Sequence, residues 1–586
     1  MKLSRFLPVL TWLPCYNRAF LARDLLAAVI VTVMLIPQSL AYAMLAGLPP
    51  QMGLYASILP LVLYAVFGSS RTLSVGPVAI TALMAAAALG QLFEPGSADM
   101  VGGAILLTAM TGLMLLVMGV CRLGFLANFL SHPVISGFIT ASGLVIVASQ
   151  LGPVLGIQAG GQNLYEVAMA LVRHRDELHG LTLAIGGGVL LALLAARRYL
   201  KPLLTGLGVG SRLADNLARI APVLAVAVTT AVTWALGLDR AGVAVVGDVP
   251  SGLPELVMPA ADLSLWRQLA ISAVLISIVS FVESVSIAQT QAARRRERID
   301  PDQELVGLGA SNLVSGMSGG MPVAGSFSRS AVNVDAGAET PAAGALAALG
   351  VALATVFLTP AIALLPVATL AATIIVSVLS LIDLPALVRT WRYSRADFVA
   401  MLATISLTLG YSVEAGILAG VGLSIGLFLY RTSRPHSAVV GRVPGTEHFR
   451  NVRRHQVETR AHLAMLRVDE SLYFANARFL EDRVLELVSS QPELTDIVLV
   501  CPAVNLIDAS ALESLEAINE RLEAGGVRFH LSEVKGPVMD RLEGTRFLER
   551  LTGHIYLTSY QAWQALGAGS RMAAQEPLTG DVCKNA

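Results

Sequence analysis

Arg329 is a single arginine in an apolar stretch, in the segment GGMPVAGSFSRSAVN. Gly319, Gly320, Pro322 and Gly325 break any helix that comes before it, and Ser326, Ser328 and Ser330 surround the charge. A charge at membrane depth costs about 2.5–3.5 kcal/mol on insertion scales, so its presence calls for a function. A broken helix whose new N-terminus carries hydroxyls and a cation can bind an anion. The competing reading is a positive-inside anchor at a helix end. It is weakened because Asp335 and Glu339 follow with no basic cluster.

Three other groups could share this chemistry. In RDLLAAVIVTVMLIPQSLAYAMLAG, Gln38 and Tyr42 lie four apart, so their polar tips share one helical face. Pro37 before them is expected to kink that helix and free backbone carbonyls. The bland alternative for the pair is hydrogen bonding between helices. SVGPVAITAL places Pro77 at a first helical position, with Gly76 allowing close approach, and its free amides add positive potential. The alternative there is a plain loop-to-helix transition. Glu283 is the one acid in ISAVLISIVSFVESVSIAQTQ. It lies eleven residues before Arg294, or about 16 Å at helical rise, well inside a bilayer. An intramembrane carboxylate serves a proton relay or a buried ion pair, and both can hold.

Charge balance links these groups. Each helix N-terminus acts as roughly +0.5 charge, so two of them with Arg329 make roughly +2, the match for a divalent oxyanion. An ionised Glu283 close by would subtract one. Anion binding should therefore favour protonated Glu283, which predicts proton–anion symport.

Composition sets the frame. The 586 residues are 55% hydrophobic and 14% charged, against about 25% charged in a soluble chain. A polytopic membrane protein follows. Zero net charge removes the electrostatic case for nucleic acid binding. The cysteines form no CxxC pair, the histidines show no metal-ligand spacing, and no cofactor or metal is implied. No nucleophile–base pair or phosphate loop suggests an enzyme. The first apolar run is long enough to span, and no signal cleavage site follows it.

About fourteen hydrophobic segments are expected: 24–46, 53–68, 76–92, 101–120, 124–152, 181–198, 219–237, 267–289, 304–318, 325–338, 342–359, 361–382, 397–411 and 413–430. The third and tenth are short and follow breakers, SVGP and GGMPVAG, at the same place in two halves of seven. That pattern predicts inverted repeats with the site between them. Basic residues before the first segment (Lys2, Arg5, Arg18, Arg23) and after the second, fourth, sixth, eighth and fourteenth fall on one side. The positive-inside rule makes that side cytoplasmic and places both termini there.

After Arg431 charges become dense. The expected division is a cytoplasmic N-terminal segment 1–23, a transport domain 24–432, a linker 433–444, a soluble domain 445–567 and a disordered tail 568–586. In the soluble part, apolar runs at 461–468, 497–504 and 527–534 alternate with helical stretches at 479–488, 508–526 and beyond Pro537, which predicts a small α/β domain.

Three membrane motifs, PQSLAYAMLAGLPPQMGLYAS (37–57), SVGPVAI (74–80) and PVAGSFSRSAVN (322–333), together resemble the sulfate permease family, whose eukaryotic relatives are the solute carrier family 26 anion transporters. VCPAVNLIDASALESL (500–515) resembles the STAS domain that closes such proteins. The resemblance implies an all-α membrane domain of seven-plus-seven inverted repeats with core and gate subdomains, an elevator-like movement and a homodimer. It implies an anion site between spans three and ten. By motif, Gln38 and Tyr42 would line it, Val75, Gly76, Pro77, Val78 and Ala79 would present one helix terminus, and Ser326, Phe327, Ser328 and Arg329 the other. Glu283, in SFVESVSIA, resembles the acid of proton-coupled sulfate carriers. Asp508-Ala509-Ser510 keeps the acid and serine of STAS relatives phosphorylated at that place, which makes Ser510 a candidate phosphosite, although a serine there is more often a helix cap.

The expectation is a proton-coupled sulfate symporter of a bacterial inner membrane. Bicarbonate or chloride carriage on the same fold, and a membrane-anchored STAS sensor, are the alternatives.

Overall fold

The structure is a computed structural model. It describes residues 7–94, 96–128, 131–157, 163–208, 210–247, 250, 252–259 and 262–567. The expected tail, 568–586, lies outside the described residues. The chain divides into two compact units, Met1–Ser424 and Ile425–Ala586.

The first unit is helical apart from two short strands. Its elements are α1 (Arg18–Leu45), α2 (Pro50–Tyr55), α3 (Leu59–Phe67), β1 (Val75–Gly76), α4 (Ala79–Gly90), α5 (Ala98–Val120), α6 (His132–Leu155), α7 (Leu164–Arg173), α8 (Gly180–Ala195) and α9 (Ser211–Leu236). There follow α10 (Leu263–Arg295), α11 (Pro301–Met317), β2 (Ala324–Gly325), α12 (Phe327–Asp335), α13 (Ala342–Phe357), α14 (Thr359–Ala363), α15 (Val367–Val378), α16 (Leu384–Tyr393), α17 (Arg395–Gly410) and α18 (Val413–Ser433), whose residues from Ile425 onward count with the second unit. Among the described residues, seven helices are long and apolar enough to cross a membrane.

Each expected hydrophobic segment contains helix, with local departures. The fifth begins at His132 rather than 124, because Leu123–Asn128 forms a 3-10 turn and Pro133 suits a first helical turn. The twelfth breaks around Pro366 into α14 and α15. Helix α1 runs through Pro37 without ending, so Pro37 costs one internal hydrogen bond but not the helix. The third and tenth segments hold short helices, α4 with 12 residues and α12 with 9. At ~1.5 Å per residue neither is long enough to cross a bilayer by itself.

Small residues bring α5 and α11 together. A Cβ on Gly316 would sit 2.8 Å from Ala109 N, and one on Gly309 2.7 Å from Leu116 N. Backbone-to-backbone packing of this kind is how membrane helices associate where lipid removes the hydrophobic drive.

The second unit is a six-stranded sheet in the order β4-β3-β5-β6-β7-β8. The strands are β3 (Ser437–Arg442), β4 (Phe449–Asn451), β5 (Leu463–Val468), β6 (Asp496–Val500), β7 (Arg528–Ser532) and β8 (Ile555–Tyr556). β5 to β8 are parallel, and β3 is antiparallel to both its neighbours. Helices Ala477–Ser490 (α19) and Ala509–Ala524 (α20) cover one face, Leu480 and Leu515 joining the core with Phe529 of β7. Trp563 packs with Val440, Met465 and Val498 on the other. Residues 433–444, expected as a linker, instead contain β3. Its alternation reads weakly in sequence, and pairing with β5 decides it.

One buried ionic group sits at the start of β6. Asp496 is 2% exposed and accepts from Arg528 Nη2 at 2.8 Å and from Thr495 Oγ1 at 2.7 Å. His530 Nδ1 accepts the His554 N–H at 2.9 Å, so its proton sits on Nε2, which donates to Asp496 at 3.0 Å. Burial pushes the Asp496 carboxyl up, but the hydrogen bonds from His530, Thr495 and Arg528 outweigh it and hold it at about 2. A depressed folded value stabilises above the unfolded value, about 3.9, and is lost as pH falls towards 2. Asp496→Asn is therefore expected to lower the thermal midpoint of this unit at pH 7 and to flatten its acid dependence between about pH 4 and pH 2. An unchanged acid profile, followed by tryptophan fluorescence, would contradict this.

Candidate anion site

The two half-helices start from one small sheet. β1 pairs antiparallel with β2, Val75 opposite Gly325 and Gly76 opposite Ala324. Ser326 N–H extends the pairing to the Ser74 carbonyl at 3.0 Å. Gly76 has φ +151°, and a Cβ there would lie 3.2 Å from Arg329 Nη2. Only glycine lets the guanidinium close over the strand.

Serine and asparagine side chains clamp this crossing. Ser330 Oγ accepts Ser74 N–H at 2.9 Å, and Ser284 Oγ accepts Gly325 N–H at 2.8 Å. Asn312 on α11 both donates to the Val323 carbonyl and accepts its N–H, each at 2.9 Å. The far end of α12 is also tied. Asp24 accepts from Glu339 N–H at 2.7 Å and Thr340 Oγ1 at 2.6 Å. Glu339 pairs with Arg23 at 2.7 Å and Arg295 at 2.5 Å. The basic partners that the local sequence of α12 lacks come from α1 and α10.

Arg329 is 0% exposed. Its Nη1 donates to Gln38 Oε1 at 3.2 Å and to the Pro77 carbonyl at 3.0 Å. Nε and Nη2 have no partner among the described residues. Both acceptors are neutral, so a full buried charge is left half-satisfied. The N-terminal amides of α4 and α12 lie beside it, at N-caps Val78 and Ser326, and no side chain caps either helix. Uncapped helix termini and a bare guanidinium edge are donors awaiting an acceptor.

The structure brings Gln38, Gly76, Pro77 and Arg329 into direct contact. Tyr42 is buried within electrostatic reach of Arg329. Val78 and Ala79 are buried at the α4 start, and Ser326 is buried at the α12 cap. Phe327 and Ser328 are exposed beyond it, and Ser328 Oγ lies 3.3 Å from Ser326 Oγ. Two expectations change. Val75 and Gly76 belong to β1, not to a helix terminus, because β2 takes their backbone groups. Pro77 is not at a first helical position. The helix begins at Ala79 after an extended Val78, and the Pro77 carbonyl accepts from Arg329.

Glu283 on α10 also lies within electrostatic reach of Arg329. The two form no direct ion pair, and Glu283 Oε2 is buried without a partner. It lines a small cavity with Ile80, Phe138, Val279 and Ile417. Glu304 on α11 shows what a structural acid in this unit looks like. Its oxygens accept from Tyr64 OH at 2.8 Å, Ser69 N–H at 2.8 Å, Ser69 Oγ at 2.7 Å and Ser70 N–H at 2.9 Å. Glu304 and the clamp residues Ser284 and Asn312 are not singled out by the sequence pattern, although polar residues in apolar runs were the available signal, whereas Ser330 is among the serines already read around Arg329. In the second unit Ser510 is exposed at the second residue of α20, and Asp508 is the cap, accepting from Ala511 N–H at 2.8 Å.

Residues 21–404 match the sulfate permease family and residues 454–562 the STAS domain. This chain belongs to the sulfate permease family. The protein is a multi-pass membrane transporter of inorganic anions, not an enzyme. It is 34% identical to a probable sulfate transporter of Arabidopsis thaliana, covering 91% of this chain and 79% of that one. It is also 34% identical to a probable sulfate transporter of Mycobacterium tuberculosis, covering 94% and 96%. The transporter shares its fold with the murine solute carrier 26 family member A9, at TM-score 0.86 and 22% identity over 96% of this chain and 94% of that one. The transmembrane domain of a cyanobacterial bicarbonate transporter aligns at TM-score 0.59 and 22% identity over 70% and 99%.

Proposed function

We propose that the transporter is a proton-coupled sulfate symporter whose anion site lies between the N-termini of α4 and α12. The observation that carries this reading is the buried Arg329 guanidinium, half of it unpaired, between two uncapped helix termini. A divalent oxyanion supplies the missing acceptors and balances roughly +2 of charge. Gln38 and Ser326 add polar contacts, with Tyr42 behind them.

Glu283 carries the proton. When protonated it leaves the positive site intact, and when ionised it opposes the anion through Arg329. The anion and the proton therefore bind together and leave together. The sulfate transporters among the relatives favour sulfate over other oxyanions. An elevator-like movement of a core carrying α4, α10 and α12 against a gate, in a homodimer, is part of this reading. The positive-inside pattern supports a cytoplasmic STAS unit at a bacterial inner membrane. There the exposed Ser510 is open to phosphorylation.

Radiolabelled sulfate uptake into proteoliposomes tests the reading. Uptake is expected, and an inward proton gradient should raise it several-fold. No uptake under either condition removes sulfate as the substrate, and uptake indifferent to the gradient removes symport.

A further inference from the structure

One side chain ties the helix of the acid to the strand that leads into the anion site. Gly325, on β2, donates its N–H to Ser284 Oγ at 2.8 Å. The Ser284 hydroxyl in turn donates to the Ser280 carbonyl, one turn back on α10, at 2.5 Å. Ser284 is 0% exposed. It directly follows Glu283, and Gly325 directly precedes Ser326, the N-cap of α12. The adjacent residues of two elements are thus joined by one hydroxyl that both accepts and donates.

The other clamps do different work. Ser330 belongs to α12 itself, and Asn312 reaches Val323 from α11. Among these three, Ser284 alone comes from α10. We propose that Ser284 is a positioning residue that sets the separation of Glu283 and Arg329, so that protonation at Glu283 is felt as a change in anion affinity. This deepens the symport reading and rests on it. Coulomb interaction depends on separation and on the dielectric between the charges, so a coupling carried by unpaired groups needs a rigid spacer. The Gly325 amide cannot find water in a buried crossing, so the clamp holds unless the hydroxyl is removed.

The groups that set the charge around Glu283 are Arg329 on α12 and Tyr42 on α1. From α4, α6 and α18 it meets apolar side chains such as Ile80, Phe138 and Ile417. No other titratable group is placed to substitute for the Arg329 link among the described residues lining this cavity.

The test compares sulfate half-saturation at acidic and alkaline pH for the full-length protein in proteoliposomes. In Ser284→Ala, half-saturation at acidic pH should rise about ten-fold, the effect of leaving one buried donor unpaired. The ratio between the two pH values should shrink towards one. Ser284→Thr keeps the hydroxyl and should restore both. If Ser284→Ala does not fold, Ser284→Cys takes its place under the same criterion, since sulfur is a weak acceptor. A variant with weakened affinity but the wild-type pH ratio shows a purely structural clamp and overturns the inference. A wild-type protein without any pH ratio overturns the symport reading instead, and the inference with it.

Discussion

Arg329→Ala is expected to raise the half-saturating sulfate concentration about 10- to 100-fold, the range for hydrogen bonds to a charged group in a buried site. The guanidinium is fully buried and donates to Gln38 Oε1 and the Pro77 carbonyl. Its Nε and Nη2 are open. Removing it takes away half of the positive charge and the side-chain cation at the crossing. Arg329→Lys keeps the charge but, with a single ammonium, loses the fork that spans Gln38, Pro77 and the anion, so its affinity should fall between alanine and wild type. The lysine variant also separates charge from packing, since the arginine fills the space above Gly76. Equal affinity in wild type and Arg329→Ala, by equilibrium binding of labelled sulfate, would place the site elsewhere.

Glu283→Gln should abolish the stimulation of uptake by an inward proton gradient and leave sulfate binding within about three-fold of wild type, because the amide mimics the neutral acid in shape and charge. The sign follows from the charge balance. Lowering the pH protonates Glu283 in the wild type and strengthens anion binding, while the variant is fixed in the neutral form at every pH. Its half-saturation should therefore be flat with pH and close to the acidic value of the wild type. The open Oε2, in reach of Arg329 but not paired with it, is what allows this. A direct ion pair would have held the acid ionised and Arg329 neutralised. Unchanged pH dependence of uptake in Glu283→Gln would sink the coupling argument.

Much of this site was legible in the chain because a membrane makes polar residues conspicuous. Arg329, Glu283, Gln38 and Tyr42 stand out in apolar runs, and each such residue carries a cost that demands a reason. Breakers before the third and tenth segments marked the two half-helices, since glycine and proline act locally whatever surrounds them. The helical segments followed from hydrophobic length alone. β3 did not, because a strand in a mixed sheet is stabilised by its partners rather than by its own residues.

What the local pattern could not decide was which polar atoms remain unsatisfied. Glu283 and Glu304 read alike, each an acid in an apolar helix. The fold gives Glu304 donors from Tyr64, Ser69 and Ser70, far away in the chain, and gives Glu283 Oε2 none. In the same way, pairing of β1 with β2 turned Pro77 into an acceptor for Arg329 and moved the helix start to Ala79. Residue type and spacing determined that a cation, an acid and two helix ends share one membrane unit. Only tertiary contact decided which of them stay unpaired, because a hydrogen bond is satisfied by whatever atom lies within about 3 Å, wherever that atom falls in the sequence.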